Sequence, residues 1–335
     1  MLRAFLSWFI PAAIGAGSLI WIGASLGSAS LATAALLIVL EVTLSFDNAV
    51  VNAGVLRNLN ALWQRRFLTW GIAVAVFGSR ALLPIIIVSI STWISPFAIS
   101  YIAFYDPVHY GELLRGSMYI INTFGGMFLV MVAFKYFFNE KKERHWIRVI
   151  EKYLSLWGNV EAIEVILAIL ILLPVAALSH DHQFQILFAG LVGIILFVVV
   201  HEVIAAFAVD TPSHAASGLA MFIYLNLLDA AFSLDSVVGA FALTANVIVI
   251  TVGLGIGAYF VRQLTLFLVH HGTLDELIYI EHGAHWAVLG LAVAMLAALF
   301  IEVPEPVTAF VGFVFLSLAY FSSKRANTKH KTFSR

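Results

Sequence analysis

An all-α polytopic membrane helix bundle with about ten transmembrane helices (8–10) and an inverted-topology internal repeat is the fold class this sequence predicts. Composition is the first reason: hydrophobic residues make up 62% of the 335 residues and charged residues 11%, with a mean hydropathy of +0.99. Length is the second, because a spanning helix needs about 20 predominantly apolar residues and such stretches recur along the whole chain. The third is a duplicated acidic segment. Glu41 to Val50 and Asp229 to Val238 carry an acid, a Ser and an Asp at identical spacing inside two apolar runs.

Apolar runs between charged or Pro/Gly-containing breaks give, in order, spans at 4–25, 31–56, 67–92, 118–138, 160–178, 184–208, 215–242, 246–270, 284–301 and 306–322. The first is read as a span rather than a removed signal peptide, because equally apolar stretches follow it throughout. The second and seventh carry the acidic motif, and the odd number of crossings between them turns the copies in opposite directions. Many secondary transporters are built from such inverted repeats, with substrate sites near the midplane. The partner spans repeat as well: Gly71 to Arg80 aligns with Gly253 to Arg262, Gly on Gly and Arg on Arg. Glu302-Val-Pro-Glu-Pro306 leaves open a single interrupted hairpin in place of the last two spans.

Four regions follow: an N-terminal transmembrane half with the first acidic repeat (1–138), a cytoplasmic amphipathic linker (139–159), a C-terminal half with the second repeat (160–322) and a basic tail (323–335) expected to be disordered. In the linker, Trp146, Ile147, Ile150, Leu154 and Trp157 recur at near-helical spacing, which reads as an interfacial helix. Anchoring is its plainer role and partner binding the other. Lys and Arg gather after the second, fourth and last spans, at Arg57, Arg65 and Arg66, at Lys141 to Lys152, and at Lys324 to Arg335. By the positive-inside rule both termini are cytoplasmic.

Several classes are excluded. With no Cys, disulfides, zinc knuckles and thiolate metal sites are absent. The net charge of -1 and the placement of charges in loops make no case for nucleic acid. No nucleophile and base pair is suggested, so the chain is not read as an enzyme.

An ionisable side chain in lipid costs roughly 3 kcal/mol or more and is a functional candidate by default. Glu41, Ser45, Asn48 and Asn52 follow an i, i+4, i+7, i+11 pattern and share one helix face. Asp229, Ser233 and Ser236, with Asn226 beside them, repeat the stripe. Both sets are hard oxygen donors suited to a divalent cation. Asp47 and Asp235 project about 120° away from the stripe on a straight helix. Either the helix breaks there and these carboxylates ligate the ion, or they pair with Arg80 and Arg262, whose burial demands an anion. Glu161 and Glu164, His201 and Glu202, and Glu281, His282 and His285 are further candidates for a proton relay or an accessory metal. Near the headgroups they would simply be solvated. The GxGxG at Gly253 to Gly257 lies in a span with no strand before it, so it reads as a close helix-packing surface rather than a nucleotide loop.

The doubled motif, Glu41-x-x-Leu44-Ser45-x-Asp47-Asn48 and Asp229-x-x-Phe232-Ser233-x-Asp235-Ser236, resembles that of the TerC family of integral membrane proteins, named for tellurite resistance. The resemblance covers about 31 to 300 and is strongest to a less characterised branch with an EHGAH segment, here Glu281 to His285. It implies a multi-pass protein of the bacterial inner (plasma) membrane, in a superfamily that includes exporters, some linked to manganese efflux. Carried over by motif, Glu41, Asp47, Asn48, Asp229, Asp235 and Ser236 would form the cation path. This chain departs from better-known members in its first span, around Glu161 to Glu202, and in the HGAH segment, which touches substrate more than class.

The expectation is therefore a secondary transporter that exports a divalent metal cation, Mn²⁺ before others, with no tightly bound cofactor. Its partners are the lipid bilayer, the metal ion and counter-protons, with a homo-oligomer or a membrane partner left open. The alternative is a non-transporting accessory or scaffold protein in metal or tellurite stress response, whose buried acids pair structurally with Arg80 and Arg262.

Overall fold

The computed structural model describes residues 2–140, 142, 144–179, 181–210 and 214–333, and among these the chain is helical with no strand. α1 (Leu2–Leu44) bends at Gly27, whose φ of 89° only glycine adopts readily, so the first two predicted spans are two helices joined at that point. α2 (Phe46–Leu56) follows after Ser45, inclined by 54° to the helix before it. α3 (Ala61–Ala73), a π-helical turn (Val74–Leu82) and α4 (Leu83–Thr92) form one long apolar stretch. The wide turn ends just before Pro84, whose ring cannot donate a hydrogen bond and would clash with the Arg80 carbonyl in a regular helix.

Two short helices, α5 (Pro96–Tyr105) and α6 (Pro107–Gly116), lie between the third and fourth predicted spans. Each starts with a capping side chain followed by proline: Ser95 accepts from the Ala98 amide and Asp106 from the His109 amide. α7 (Met118–Phe137) is the central helix, its residues Met127 to Ala133 all buried. α8 (Arg148–Trp157) is the linker helix, and α9 (Ile163–Leu178), α10 (Gln183–Asp210), α11 (His214–Leu243) and α12 (Val247–His270) follow. α13 (Thr273–Glu276), α14 (Ile280–Ala297) and α15 (Glu305–Phe333) complete the chain.

Helices stand at each of the ten stretches read from the sequence. Of those described, five are long and apolar enough to cross a membrane, within 61–92, 118–137, 183–204, 247–270 and 280–297, or six if the bent pair 28–44 and 46–56 is one span. The tail is not the disordered end expected from its charge. α15 runs through Lys324 to Phe333, tied down where Ser323 Oγ accepts the Tyr279 amide at 2.9 Å and Asn327 donates to the Glu276 carbonyl at 2.7 Å.

Packing exchanges the two halves. α1, with the first acid, lies along α12, which carries Arg262; the π-helical turn with Arg80 lies along α11, which carries Asp229. The GxGxG of α12 is the contact surface the sequence suggested. A Cβ at Gly253 would meet the Leu37 Cβ at 2.8 Å, and one at Gly257 would meet the Glu41 Cβ at 2.6 Å, so only glycine lets α1 approach. A second cluster joins α7, α10 and α14 through Phe128, Phe197, Val288 and Met295.

Candidate functional site

Four charged side chains from four elements meet in the interior. Glu41 at the end of α1 is fully buried and bonds the guanidinium of Arg80. Asp229 on α11 accepts from Arg262 Nη2 at 3.0 Å and lies 3.9 Å from Arg80 Nη1. Each Arg therefore pairs with the first acid of its own motif copy. The two acids and two guanidinium groups sum to zero charge, which removes most of the penalty of burying any one of them alone.

Polar neighbours complete the shell. Arg80 Nη1 also donates to the Ala75 carbonyl at 2.8 Å, a contact that the wide π turn brings into reach. Arg262 Nη1 donates to the Phe67 carbonyl at 3.0 Å and Nη2 to Asn226 Oδ1 at 3.4 Å, and the guanidinium sits 4.2 Å over the Phe67 ring. It needs Gly71 to be glycine, because a Cβ there would stand 2.4 Å from Nη1. Asn48 Nδ2 donates to Asp229 Oδ1 at 3.3 Å, and Asn52 donates to Asn48 Oδ1 at 2.8 Å, which joins the first stripe to the second. Ser45 donates to Glu41 Oε1 at 3.2 Å. Glu41 Oε2, Asn52 Oδ1 and Ser233 Oγ are buried without a partner.

Asp47 stands apart from this network. It lies in the first turn of α2, is 5% exposed, and its Oδ1 accepts the amide of Asn48 at 3.0 Å. No ion pair to it is formed among the described residues. Its carboxylate lines a cavity of about 640 Å³ between α2, α12, α14 and α15, facing Gly312, in a wall that is mainly Leu, Ile, Phe and Val with Ser236 from the second motif. The break at Ser45 aims it there. The side chain of Asp235 lies outside what is described. The pairing of Asp47 with Arg80 weighed from the sequence is not formed, since Glu41 takes that place.

The other candidates disperse. Glu161 is exposed in a turn before α9 rather than on a span, and Glu164 pairs with Lys135 at 3.7 Å. His201 stacks on Phe197 with ring centroids 5.8 Å apart, while Glu202 is exposed. Glu281 pairs with Arg57 at 3.2 Å, and His285 stacks on Tyr136 at 3.6 Å. Among the described residues no three His, Asp or Glu side chains converge as a metal-holding group.

One buried acid escaped the sequence reading. Glu151 of α8 is fully buried, accepting from Trp286 Nε1 at 3.0 Å and from the Trp146 and Ile147 amides, with His282 Nδ1 at 2.7 Å and Lys142 Nζ at 3.1 Å. Burial alone would raise its carboxyl, but the hydrogen bond and charge of His282, with Lys142 and Trp286, hold it well below the usual carboxylate range. Burial lowers Lys142, against the pull of Glu151. The signal was present: Glu151 lies i+4 from Ile147 and i−3 from Leu154, an acid on the linker's apolar face.

The fold and this interior define an all-α protein with several helices suited to crossing a membrane and a buried, charge-balanced network built from both motif copies. The chain belongs to the DUF475 family, described as a protein of unknown function, whose pattern matches residues 46–330. That span begins after Glu41 and includes Asp47, Arg80, Asp229 and Arg262. No curated protein and no solved structure matches the chain.

Proposed function

We propose that this protein is a secondary transporter of the bacterial inner membrane that exports a divalent cation, with Mn²⁺ the first ion to test. The observation that carries the reading is Asp47: a buried carboxylate with no cation partner among the described residues, at a broken span, on the wall of a cavity. A lone acid at that depth costs several kcal/mol unless it serves an ion or a proton. Broken helices lining cavities are the usual ion sites of transporters.

The motif acids then divide the work. Glu41 and Asp229, each held by an Arg, form a rigid pivot where the halves meet. Asp47, with Asp235 as its counterpart in the second copy, carries the ion; Ser236 adds a hydroxyl on the same cavity wall. Four motif acids against two Arg leave a formal charge that one divalent cation balances. Ten spans in two inverted halves, with both termini cytoplasmic, fit this reading. The exchanged packing of α1 on α12 and α11 on the Arg80 turn supports it, as does the resemblance to TerC. Counter-protons would be taken up on Asp47 itself when the ion leaves.

The accessory reading keeps one observation of its own, the full pairing of Glu41 and Asp229 with Arg80 and Arg262. Mn²⁺ flux in proteoliposomes, with and without a pH gradient, separates the two. Flux through the wild-type chain that is lost in an Asp47→Asn, Asp235→Asn variant supports transport. A folded wild-type protein that moves no Mn²⁺ under either condition supports the accessory role.

A further inference from the structure

A second cavity, of about 390 Å³, opens at the linker, far in character from the apolar one beside Asp47. It is lined by Arg144, His145, Arg148, Lys152 and Tyr279. Arg148 and Lys152 are one helical turn apart on α8, and Arg144 comes from the segment leading into it, so three formal positive charges share one concave wall. No carboxylate lines the cavity among the described residues.

The nearest acid on α8 does not neutralise it. Glu151 turns inward, where both of its oxygens are engaged by Trp286, His282, Lys142 and the Trp146 and Ile147 amides. Its bonds also fix the start of α8 and so hold Arg148 and Lys152 in place. His145 Nδ1 is out of solvent with no hydrogen-bond partner, an unsatisfied polar atom within the same group of residues. Three cations on one wall, with no carboxylate among the described residues beside them, repel one another, and a bound anion would relieve that cost.

The flank of the cavity indicates what brings the anion. Val149, Ile150, Tyr153, Leu156 and Trp157 of α8 are all exposed, Val149 at 74% and Tyr153 at 67%. They form an apolar face with a basic edge, the pattern of a helix lying in the headgroup region. A free phosphate would use the cations and leave this face bare, whereas a phospholipid uses both. We propose that this cavity binds the phosphate of an anionic phospholipid, held by Arg144, Arg148 and Lys152, with the acyl chains along the exposed face of α8. Juxtamembrane basic clusters recognise acidic lipids in this way.

The test is a titration of the purified full-length protein in detergent with phosphatidic acid and with phosphatidylcholine, read as bound lipid by native mass spectrometry. An Arg148→Gln, Lys152→Gln variant should bind phosphatidic acid about thirtyfold more weakly, about fivefold for each cation removed. Arg144→Gln alone should lose about fivefold, and serves if the double variant does not fold. Lys324→Gln, Arg325→Gln, at the basic edge of α15, should bind as the wild type does. Undiminished binding in the Arg144 and Arg148/Lys152 variants, or equal loss in the Lys324/Arg325 variant, would overturn the site. Displacement of the lipid by inorganic phosphate at a matching concentration would overturn the lipid assignment and leave a free-phosphate pocket. Equal affinity for phosphatidylcholine would reduce it to an apolar contact.

Discussion

Replacing Asp229 by Asn isolates the charge network more cleanly than any other change, because Asp229 faces both guanidinium groups, Arg262 at 3.0 Å and Arg80 at 3.9 Å. The substitution preserves shape and leaves one oxygen for either Asn48 or Arg262, which donate to different oxygens of Asp229, but takes the interior from zero to one excess positive charge. Arg80 retains Glu41. Arg262 is left with the Asn226 side chain, the Phe67 carbonyl and the Phe67 ring, none of them anionic. Removing one partner of a buried pair costs about 3–5 kcal/mol, and the retained oxygen places the expected loss near about 3 kcal/mol. Adding Arg262→Gln restores neutrality and should recover about half of that loss or more, a coupling that a double-mutant cycle measures directly. The assay is reversible unfolding of the purified protein in mixed micelles with added denaturing detergent. A single variant within about 1 kcal/mol of wild type, or a double variant that loses the sum of both singles, would refute the account of the network.

Other substitutions should separate the remaining contacts. Gly71→Ala drives a methyl into Arg262 Nη1, part of a guanidinium that three partners hold in place, and should cost about 1–3 kcal/mol in the same unfolding assay. Glu151→Gln should release the start of α8, seen as faster hydrogen exchange at the Trp146 and Ile147 amides, at a cost of about 1.5–3 kcal/mol for a lost charged hydrogen bond. Because the folded Glu151 carboxyl is held low, its contribution is fully present above the unfolded value of about 4 and is lost progressively as pH falls from there through the lower folded value. Protection at those amides should therefore hold from neutral pH down to about 4 and weaken below it. Glu281→Gln, whose Arg57 partner is 43% exposed, should change stability by less than about 1 kcal/mol.

Periodicity made the polar stripe legible: Glu41, Ser45, Asn48 and Asn52 are all buried despite the bend at Ser45, and Ser45, Asn48 and Asn52 link by hydrogen bonds into the acid network. The same spacing set Asp47 off that stripe. What it could not give was the choice of partners, because the pairing of Glu41 with Arg80 depends on the bend at Ser45 and on the π turn before Pro84. The π turn has a local cause in Pro84, but neither it nor the bend at Ser45 names the side chain that it brings into reach. The short helices at Pro96 and Pro107 were legible in principle, since Ser-Pro and Asp-Pro combine a cap with a favoured first residue. Glu151 was hidden by its neighbours: among Lys, Arg and Glu in a linker, an acid on the apolar face looks like one more solvated charge. Its partner His282 lies on a different helix far along the chain, a distance no local pattern spans.

The central claim is that Asp47 carries the ion while Glu41 and Asp229 carry structure. Mn²⁺ flux through Asp47→Asn in proteoliposomes, measured beside its unfolding free energy, tests it most directly. The account predicts flux reduced to the level of protein-free vesicles with stability within about 1 kcal/mol of wild type, since Asp47 has no charge partner to lose among the described residues. Wild-type flux in that folded variant would contradict it.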